Sequence, residues 1–161
     1  MEYFQLFKKL SQQKVRYLIC GGLAVNIYGI PRMTADIDLL LDFTDENIDK
    51  FENAVKLLMY QSTIPISIKT FVDKKERQKV IKDKNLIAYS YFNTQSNFMS
   101  LDVLMDVPIV FDELWNNKEE RMVDGTTVNI VSVEHLIALK QYANRKQDID
   151  DVILLSKLLK T

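Results

Sequence analysis

The sequence predicts an α+β fold (α/β mixed sheet), in which helices flank one mixed β-sheet. Segments with apolar residues at helical spacing alternate with short segments rich in β-branched and aromatic residues, and the connections between them are short. The chain has 161 residues, 47% of them hydrophobic and 27% charged, which is typical of a globular domain. We therefore expect one domain over residues 1–161, whose last part, 131–161, is helical.

The first third of the chain alternates helix and strand. Apolar residues three and four positions apart predict amphipathic helices, and β-rich runs that end at glycine predict strands. Gly21-Gly22 ends the first strand, Gly29 and Pro31 close the second helix, and Asp45 is the expected cap of the third. The predicted elements are a helix over 2–13, a strand over Val15–Cys20, a helix over Leu23–Tyr28, a strand over Asp36–Leu41 and a helix from Asp45 to about Tyr60.

The rest of the chain contains most of the predicted strands and ends in two helices. The charged segment 73–84 fits either a helix or a loop, and Asp124-Gly125 is typical of a hairpin turn. The predicted elements are strands over Ile64–Phe71, Leu86–Phe92 and Phe98–Leu104 (with a turn at 93–97), hairpin arms over Arg121–Val123 and Thr127–Val131, and helices over about 133–143 and 148–159.

Composition excludes several classes of protein. With Cys20 as its one cysteine and His135 as its one histidine, the chain has no disulfide framework, no thiolate metal cluster and no histidine-rich zinc site. No apolar run approaches the ~18 residues of a membrane span, and the N-terminus lacks the apolar core of a signal peptide, so we expect a cytoplasmic protein. A net charge of −1 excludes a uniformly basic nucleic-acid-binding protein but leaves room for a local basic patch.

A glycine pair and an Asp-x-Asp triplet stand close together in the first third of the chain. Gly21-Gly22, between a strand and a helix, allows close backbone approach to an anion, although such a pair alone is more typical of a tight turn. Asp36 and Asp38 are two positions apart on a predicted strand, so both carboxylates point to one face. Adjacent anions repel each other, and a divalent cation such as Mg²⁺ or Mn²⁺ relieves that repulsion.

A third carboxylate lies in a later strand-like run, at Asp102. A neighbouring strand can bring it beside Asp36 and Asp38, and three convergent carboxylates are typical of a two-metal site. Asp106 is the alternative third carboxylate, on the same face of the strand. We favour Asp102, because Asp106 precedes a proline where the strand is expected to end.

These residues together resemble a known signature. Gly21-Gly22 followed after 13 residues by Asp36-Ile37-Asp38, with a further Asp on a later strand, is similar to the motif of the DNA polymerase beta-like nucleotidyltransferase superfamily. The string GIPRMTADIDL at 29–39 resembles the AbiEii-type toxin branch, and so do EHLIALK at 134–140 and RKQDIDD at 145–151.

The resemblance implies a nucleotidyltransferase-like sheet and a metal-dependent reaction. The implied reaction moves a nucleoside monophosphate from a nucleoside triphosphate (NTP) to a hydroxyl group, with Mg²⁺ or Mn²⁺. By resemblance, Asp36 and Asp38 hold the metal ions, and Asp102 completes the site and accepts the proton of the attacking hydroxyl. Gly21 and Gly22 are implied to cradle phosphate oxygens through their backbone N–H groups.

The resemblance also implies a class of acceptor. An AbiEii-type protein is expected to act as a toxin on RNA such as tRNA, or on a protein, and to have an antitoxin partner. Transfer to a small molecule, as in antibiotic-modifying relatives, is the alternative among enzymes. The other two classes are a non-catalytic nucleotide-binding module on the same fold and a purely structural protein. Three carboxylates in strands argue against the non-catalytic module.

Three further side chains are candidates for nucleotide binding. Arg32 precedes the aspartate strand and has a fork of donors suited to a triphosphate, while Thr34 suits either a phosphate or support of the strand. Lys140 falls within the apolar sector of its predicted helix, so it must reach a polar cleft. Asp148 is expected to cap the last helix, with Asp151 three residues on.

The segment Lys69–Lys84 is markedly basic. It holds seven basic and three acidic residues, a net charge of +4 in a chain of net charge −1. Such a segment is more typical of a solvated helix face, and it also suits contact with nucleotide or RNA phosphates.

Overall fold

The computed structural model describes residues 3–97 and 99–161, and these form seven strands and seven α-helices. The strands are β1 (Tyr17–Cys20), β2 (Asp36–Leu41), β3 (Tyr60–Ser62), β4 (Ala88–Asn93), β5 (Ser100–Leu104), β6 (Glu119–Val123) and β7 (Thr126–Ile130). The α-helices are α1 (Tyr3–Gln12), α2 (Gly21–Ile27), α3 (Asp45–Leu57), α4 (Lys74–Lys84), α5 (Phe111–Asn116), α6 (Val133–Ala143) and α7 (Lys146–Leu158).

All seven strands join one mixed sheet, in the order β3-β4-β5-β2-β1-β7-β6. The central strand β2 is antiparallel to β1 and parallel to β5. Strand β7 is parallel to β1, and the remaining neighbours pair antiparallel. The predicted α+β class with a mixed sheet is therefore confirmed.

The two faces of the sheet differ in character. Ile37 and Leu39 of β2 are fully buried, and so are their register partners Leu101 and Val103 of β5. On that face Phe51 of α3 packs edge-to-face against a tyrosine of β4, with ring centroids 5.7 Å apart. Because side chains alternate along a strand, the residues between these four project from the opposite face. The side chains of Ile37, Leu39, Leu101 and Val103 thus form an apolar face, whereas Asp38 and Asp102 lie on the opposite face.

The predicted strand over Ile64–Phe71 is wrong. The strand in this region is β3, and residues Ile68–Val72 form a 3-10 helix capped by Ser67. Pro65 lacks an N–H group and does not suit a central ladder, despite the alternating isoleucines around it. Ile68 and Phe71, three residues apart, are both buried, which is a helical rather than a strand spacing.

Several predicted boundaries need correction. The cap of α3 is Thr44, whose side chain accepts a hydrogen bond from the Asn47 backbone N–H, and the helix ends at Leu57 rather than near Tyr60. Helix α2 begins at Gly21 itself, so the glycine pair is the first turn of the helix and not a separate turn. Segment 73–84 is helical from Lys74, because the Asp73 side chain caps it. Helix α5 was not predicted, since it is short.

The remaining predicted elements are confirmed as elements: β1, β2, β4, β5, the hairpin of β6 and β7, and helices α1, α6 and α7. The predicted first helix begins at residue 2 and one predicted strand begins at Phe98, and these two positions lie outside the described residues. No helix in the described part of the chain has the length and apolar character needed to cross a membrane.

Candidate active site

The pairing of β2 with β5 brings the three predicted carboxylates to one face of the sheet. Asp38 lies directly opposite Asp102 in the parallel register, and neighbouring strands are about 4.8 Å apart. Asp36, two residues earlier, lies opposite Ser100, whose hydroxyl donates a hydrogen bond to Asp36 Oδ1 at 2.5 Å. We call Asp36, Asp38 and Asp102 the carboxylate site.

The carboxylate site is electrostatically unbalanced. Burial, together with the charges of Asp102 and Asp36, raises the pKa of Asp38 to about 6, although Arg145 and Lys140 act to lower it. Burial also raises the pKa of Asp102, against a hydrogen bond with Ser90 that lowers it. At Asp38, burial and the neighbouring carboxylates therefore outweigh the positive charges of Arg145 and Lys140.

The donor set of this site fits a hard divalent cation. All three side chains offer carboxylate oxygens, which Mg²⁺ and Mn²⁺ prefer, and a cation would offset their mutual repulsion. Across residues 3–97 and 99–161, no three acidic, histidine or cysteine side chains already converge as a metal-ligand cluster. Asp38 and Asp102 are the directly opposed pair, and Asp36 would have to turn away from Ser100 to join them.

Because Gly21 has no Cβ atom, the Asp38 carboxylate can pack directly against its backbone. Its φ of +62° is in the left-handed region, and a Cβ atom on it would lie 1.9 Å from Asp38 Oδ2. At Gly22 a Cβ atom would lie 2.8 Å from Thr34 Oγ1 and 3.1 Å from Arg32 Cζ. Both glycines therefore allow close packing of predicted site residues against the start of α2.

A second charged group lies beside the carboxylate site, and we call it the ion cluster. Its members are Arg32, Lys140, Arg145, Asp148 and Asp151. Lys140 is only 4% exposed, and its Nζ lies 2.7 Å from Asp151 Oδ2 and 3.3 Å from Asp148 Oδ1. Arg32 donates to Asp151 through Nη1, and Arg145 Nε donates to Asp148 Oδ2 at 2.9 Å. The polar cleft expected for Lys140 is thus lined by two aspartates.

The prediction that Asp148 caps the last helix is wrong. Arg145 is the capping residue of α7, and Asp148 stands at the third helical position, where it accepts a hydrogen bond from the Arg145 backbone N–H at 3.1 Å. Burial alone would raise the pKa of Asp148, but the hydrogen bonds and charge of Arg145, with the charge of Lys140, hold it below its usual value.

Sequence reasoning missed the partnership of Lys140 with Asp148 and Asp151. The signal was present, because a lysine within the apolar sector of one helix requires a counter-charge. Asp148 and Asp151 are three residues apart, so they share one face of the next helix.

Two further predicted residues occupy supporting positions. Thr34 Oγ1 donates to the backbone oxygen of Asp36 at 3.1 Å and so holds the start of β2. Asp106 lies beyond the end of β5, where it accepts a hydrogen bond from Tyr142 Oη at 2.9 Å. Among the two alternatives for the third carboxylate, Asp102 is therefore the one opposite Asp38.

Comparison with solved structures identifies the fold. The chain is similar to the antibiotic-resistance factor ANT(2″)-Ia in complex with adenylyl-2″-tobramycin (TM-score 0.61, 14% identity, 98% of this chain and 87% of that one). It is also similar to a Thermotoga maritima protein assigned to the nucleotidyltransferases (TM-score 0.57, 15% identity, 98% and 90% covered). A nucleotidyltransferase-like antigenic protein of Paracoccidioides brasiliensis has a TM-score of 0.58 at 19% identity, with 95% and 72% covered.

Comparison of sequences identifies the family. No curated protein sequence matches the chain significantly. The family model of the nucleotidyl transferase AbiEii toxins of type IV toxin–antitoxin systems matches residues 6–153, which include the carboxylate site and the ion cluster. The chain therefore belongs to the AbiEii nucleotidyltransferase toxin family.

Proposed function

We propose that this chain transfers a nucleoside monophosphate from an NTP to a hydroxyl group of an RNA or a protein, as the toxin of a toxin–antitoxin pair. One observation carries the proposal: the β2–β5 register sets Asp38 opposite Asp102, beside the backbone of Gly21. Paired carboxylates next to the start of a helix suit a triphosphate and its cations. Family membership supports the nucleotidyl transfer and the existence of an antitoxin partner.

The proposed step is a displacement at the α-phosphorus of the NTP. Bound Mg²⁺ or Mn²⁺, held by Asp36, Asp38 and Asp102, would neutralise charge on the triphosphate and on the leaving group. The acceptor oxygen forms a bond to the α-phosphorus as the bond from that phosphorus to the β-phosphate bridging oxygen breaks. Asp102 takes the hydroxyl proton on a carboxylate oxygen, as the general base of the step. Pyrophosphate leaves with the electron pair of the broken bond.

The remaining site residues bind and orient the triphosphate in this proposal. The backbone N–H groups of Gly21 and Gly22, at the start of α2, would bind phosphate oxygens, while their missing Cβ atoms leave room for Asp38 and Thr34. Arg32 and Lys140 provide positive charge, and the charge of Lys140 already acts on Asp38. Thr34 holds the strand that carries the aspartates.

The second candidate is transfer to a small molecule. The observation that favours it is the adenylyl-2″-tobramycin bound to the similar structure of ANT(2″)-Ia. A non-catalytic nucleotide-binding module on the same fold is the remaining alternative, and it predicts nucleotide binding without release of pyrophosphate.

The decisive experiment follows the α-phosphate. Each α-labelled NTP is incubated with the protein and Mg²⁺ in the presence of total tRNA, a cell lysate or no added acceptor, with Asp36→Ala as the control variant. Label in one acceptor, accompanied by pyrophosphate and absent with the variant, supports the proposal and identifies the acceptor class. Nucleotide-dependent thermal stabilisation without any label or pyrophosphate would overturn it in favour of the binding module.

A further inference from the structure

Helix α7 leaves much of its apolar surface in solvent. Its buried residues are two aspartates of the ion cluster and one apolar residue, Leu155. Four large apolar side chains of the same helix are between 37% and 53% exposed: Ile149, Ile153, Leu154 and Leu158. Helices of globular proteins gain most of their stability by packing an apolar face, so this exposure is typical of a contact surface.

Exposed apolar residues also concentrate on this helix. In the described part of the chain, fourteen large apolar residues are exposed, and five of them lie between positions 149 and 159. The other nine are spread over positions 33–142. Single exposed apolar residues are normal on a protein surface, whereas a group of them on one helix indicates an interaction site.

The exposed side chains form two rows on the outer side of α7. The two isoleucines are four residues apart, and so are the two leucines, so each pair is within roughly 40° around the helix. Asp150 and Lys157 lie between the rows, seven residues and about 10 Å apart along the helix. Neither charge has an ion-pair partner among the described residues. We call this surface the α7 face, and it consists of Ile149, Asp150, Ile153, Leu154, Lys157 and Leu158.

The α7 face is complementary to itself when two copies run antiparallel. About a two-fold axis that passes between Ile153 and Leu154, residues equally far from that point face each other. Asp150 then lies opposite Lys157 of the partner subunit, and the reciprocal pair forms on the other side of the axis. In a parallel pair, Asp150 and Lys157 would each face their own copies, so like charges would repel. The charges therefore favour the antiparallel arrangement.

We propose that the α7 face binds a second copy of this chain in an antiparallel, two-fold symmetric helix pair. This inference goes beyond the proposed function and does not depend on it. The isoleucine rows of the two copies meet on one side of the contact line and the leucine rows on the other, with the two charge pairs between them. A helix of 13 residues is roughly 20 Å long, which is short for a permanent interface, so we expect a reversible dimer with a dissociation constant of about 1–100 μM.

Dimerisation would also stabilise the ion cluster from the other side of the same helix. Asp148 and Asp151 are on the inner side of α7, where both pair with Lys140. Because the dimer forms from folded copies, association favours the folded state by mass action. The midpoint of thermal unfolding should therefore rise with protein concentration.

The test exchanges the two charges of the α7 face. Asp150→Lys sets a lysine opposite Lys157, and Lys157→Asp sets an aspartate opposite Asp150, so each single variant should raise the dimer dissociation constant about 10-fold or more. The double variant Asp150→Lys with Lys157→Asp restores both pairs with their signs reversed. It has the net charge of the wild type, so its recovery would not come from overall charge. An equimolar mixture of the two single variants restores both pairs in a heterodimer. Sedimentation equilibrium without nucleotide or metal measures each dissociation constant.

A second pair of variants tests the apolar rows. Ile153→Asp should prevent dimerisation over about 1–200 μM protein and should make the unfolding midpoint independent of concentration. The matched control is Met122→Asp, an exposed apolar residue of β6, which should leave the dimer intact. A wild type that is monomeric over this range would overturn the inference. So would a dimer that tolerates Ile153→Asp, equal losses with Met122→Asp, or failure of both the double variant and the mixture to recover.

Discussion

The carboxylate site and the ion cluster lie side by side, yet the pKa values of their aspartates shift in opposite directions. In the carboxylate site, burial and neighbouring carboxylates raise the pKa of Asp38 to about 6. In the ion cluster, Asp148 is 2% exposed but has a lowered pKa, because hydrogen bonds and charge from Arg145, with the charge of Lys140, outweigh its burial. In the carboxylate site, Asp38 and Asp102 form no ion pair within the described residues, whereas in the ion cluster each aspartate is paired with cations.

This difference in pKa shift indicates a ligand-binding role for the carboxylate site and a structural role for the ion cluster. An ionised group that is buried without a partner destabilises the fold, so such a group persists where a ligand compensates it. A paired cluster needs no ligand, and it ties the loop before β2 to helices α6 and α7 through Arg32, Lys140 and Asp151. We infer that the ion cluster positions Lys140 and Arg145 near Asp38, while the carboxylate site binds the cations.

The largest expected effect concerns the third carboxylate. Asp102→Asn should lower the rate of nucleotidyl transfer by about 10²–10⁴-fold, because it removes the proposed base opposite Asp38. The matched control is Asp106→Asn, four residues further on and bound to Tyr142, which should leave the rate within roughly two-fold. The measurement is label transfer under saturating Mg²⁺, and an equal loss in both variants would contradict the choice of Asp102.

The next effect concerns the ion cluster. Lys140→Met should destabilise the protein by about 3 kcal/mol, because it leaves Asp148 and Asp151 buried with fewer partners. Adding Asp151→Asn to this variant should restore part of the stability, since the second change removes a buried anion that has lost one of its two cationic partners. Urea unfolding of the two single variants and the double variant measures this coupling. Strictly additive losses would show that Lys140 and Asp151 do not stabilise each other.

A third prediction tests how tightly Gly21 and Asp38 fit. Gly21→Ala should destabilise the protein by about 2–4 kcal/mol, because its Cβ would collide with the Asp38 carboxylate in addition to the strain of its positive φ. The matched control is Gly125→Ala, which has φ +76° but nothing within 4 Å of a Cβ atom, and about 1–2 kcal/mol of strain is expected there. Thermal unfolding compares the two, and equal losses would mean that the contact has no energetic role.

The smallest predicted effect is a gain in stability, whereas the two preceding substitutions destabilise the protein. In metal-free buffer Asp38→Asn should stabilise the protein by about 2 kcal/mol near pH 7.5, because it removes an anion that the folded state disfavours. The raised pKa of Asp38 means that proton binding favours the folded state, so this gain should shrink as the pH falls through about 6 toward 4.

The comparison variant for this prediction is Asp148→Asn, which should be destabilising at neutral pH. Because the pKa of Asp148 is lowered on folding, the stability that its charge provides is lost only as the pH falls below the usual aspartate range. Denaturation midpoints across pH 4–8 measure both variants. Stabilisation by Asp148→Asn, or destabilisation by Asp38→Asn without metal, would reverse the contrast between the two clusters.

The sequence predicted much of this arrangement because its strongest signals are local. The spacing of Asp36 and Asp38 fixed both carboxylates on one face of a strand, and the glycine pair marked the turn beside them. The prediction failed at Ile64–Phe71, where alternating apolar residues indicated a strand although the segment contains a proline and forms a 3-10 helix. It also failed at Asp148, where a residue typical of a helix cap instead pairs with a lysine on another helix.

Local spacing therefore determined the type of most elements, the face of each carboxylate and the surplus of positive charge on α4. Only the tertiary structure decided that Asp102 lies opposite Asp38 and that Asp151 joins Arg32 to Lys140. The physical reason is that strand register and helix packing depend on contacts between residues far apart in the chain. No repeat of apolar or charged residues within a single segment records such contacts.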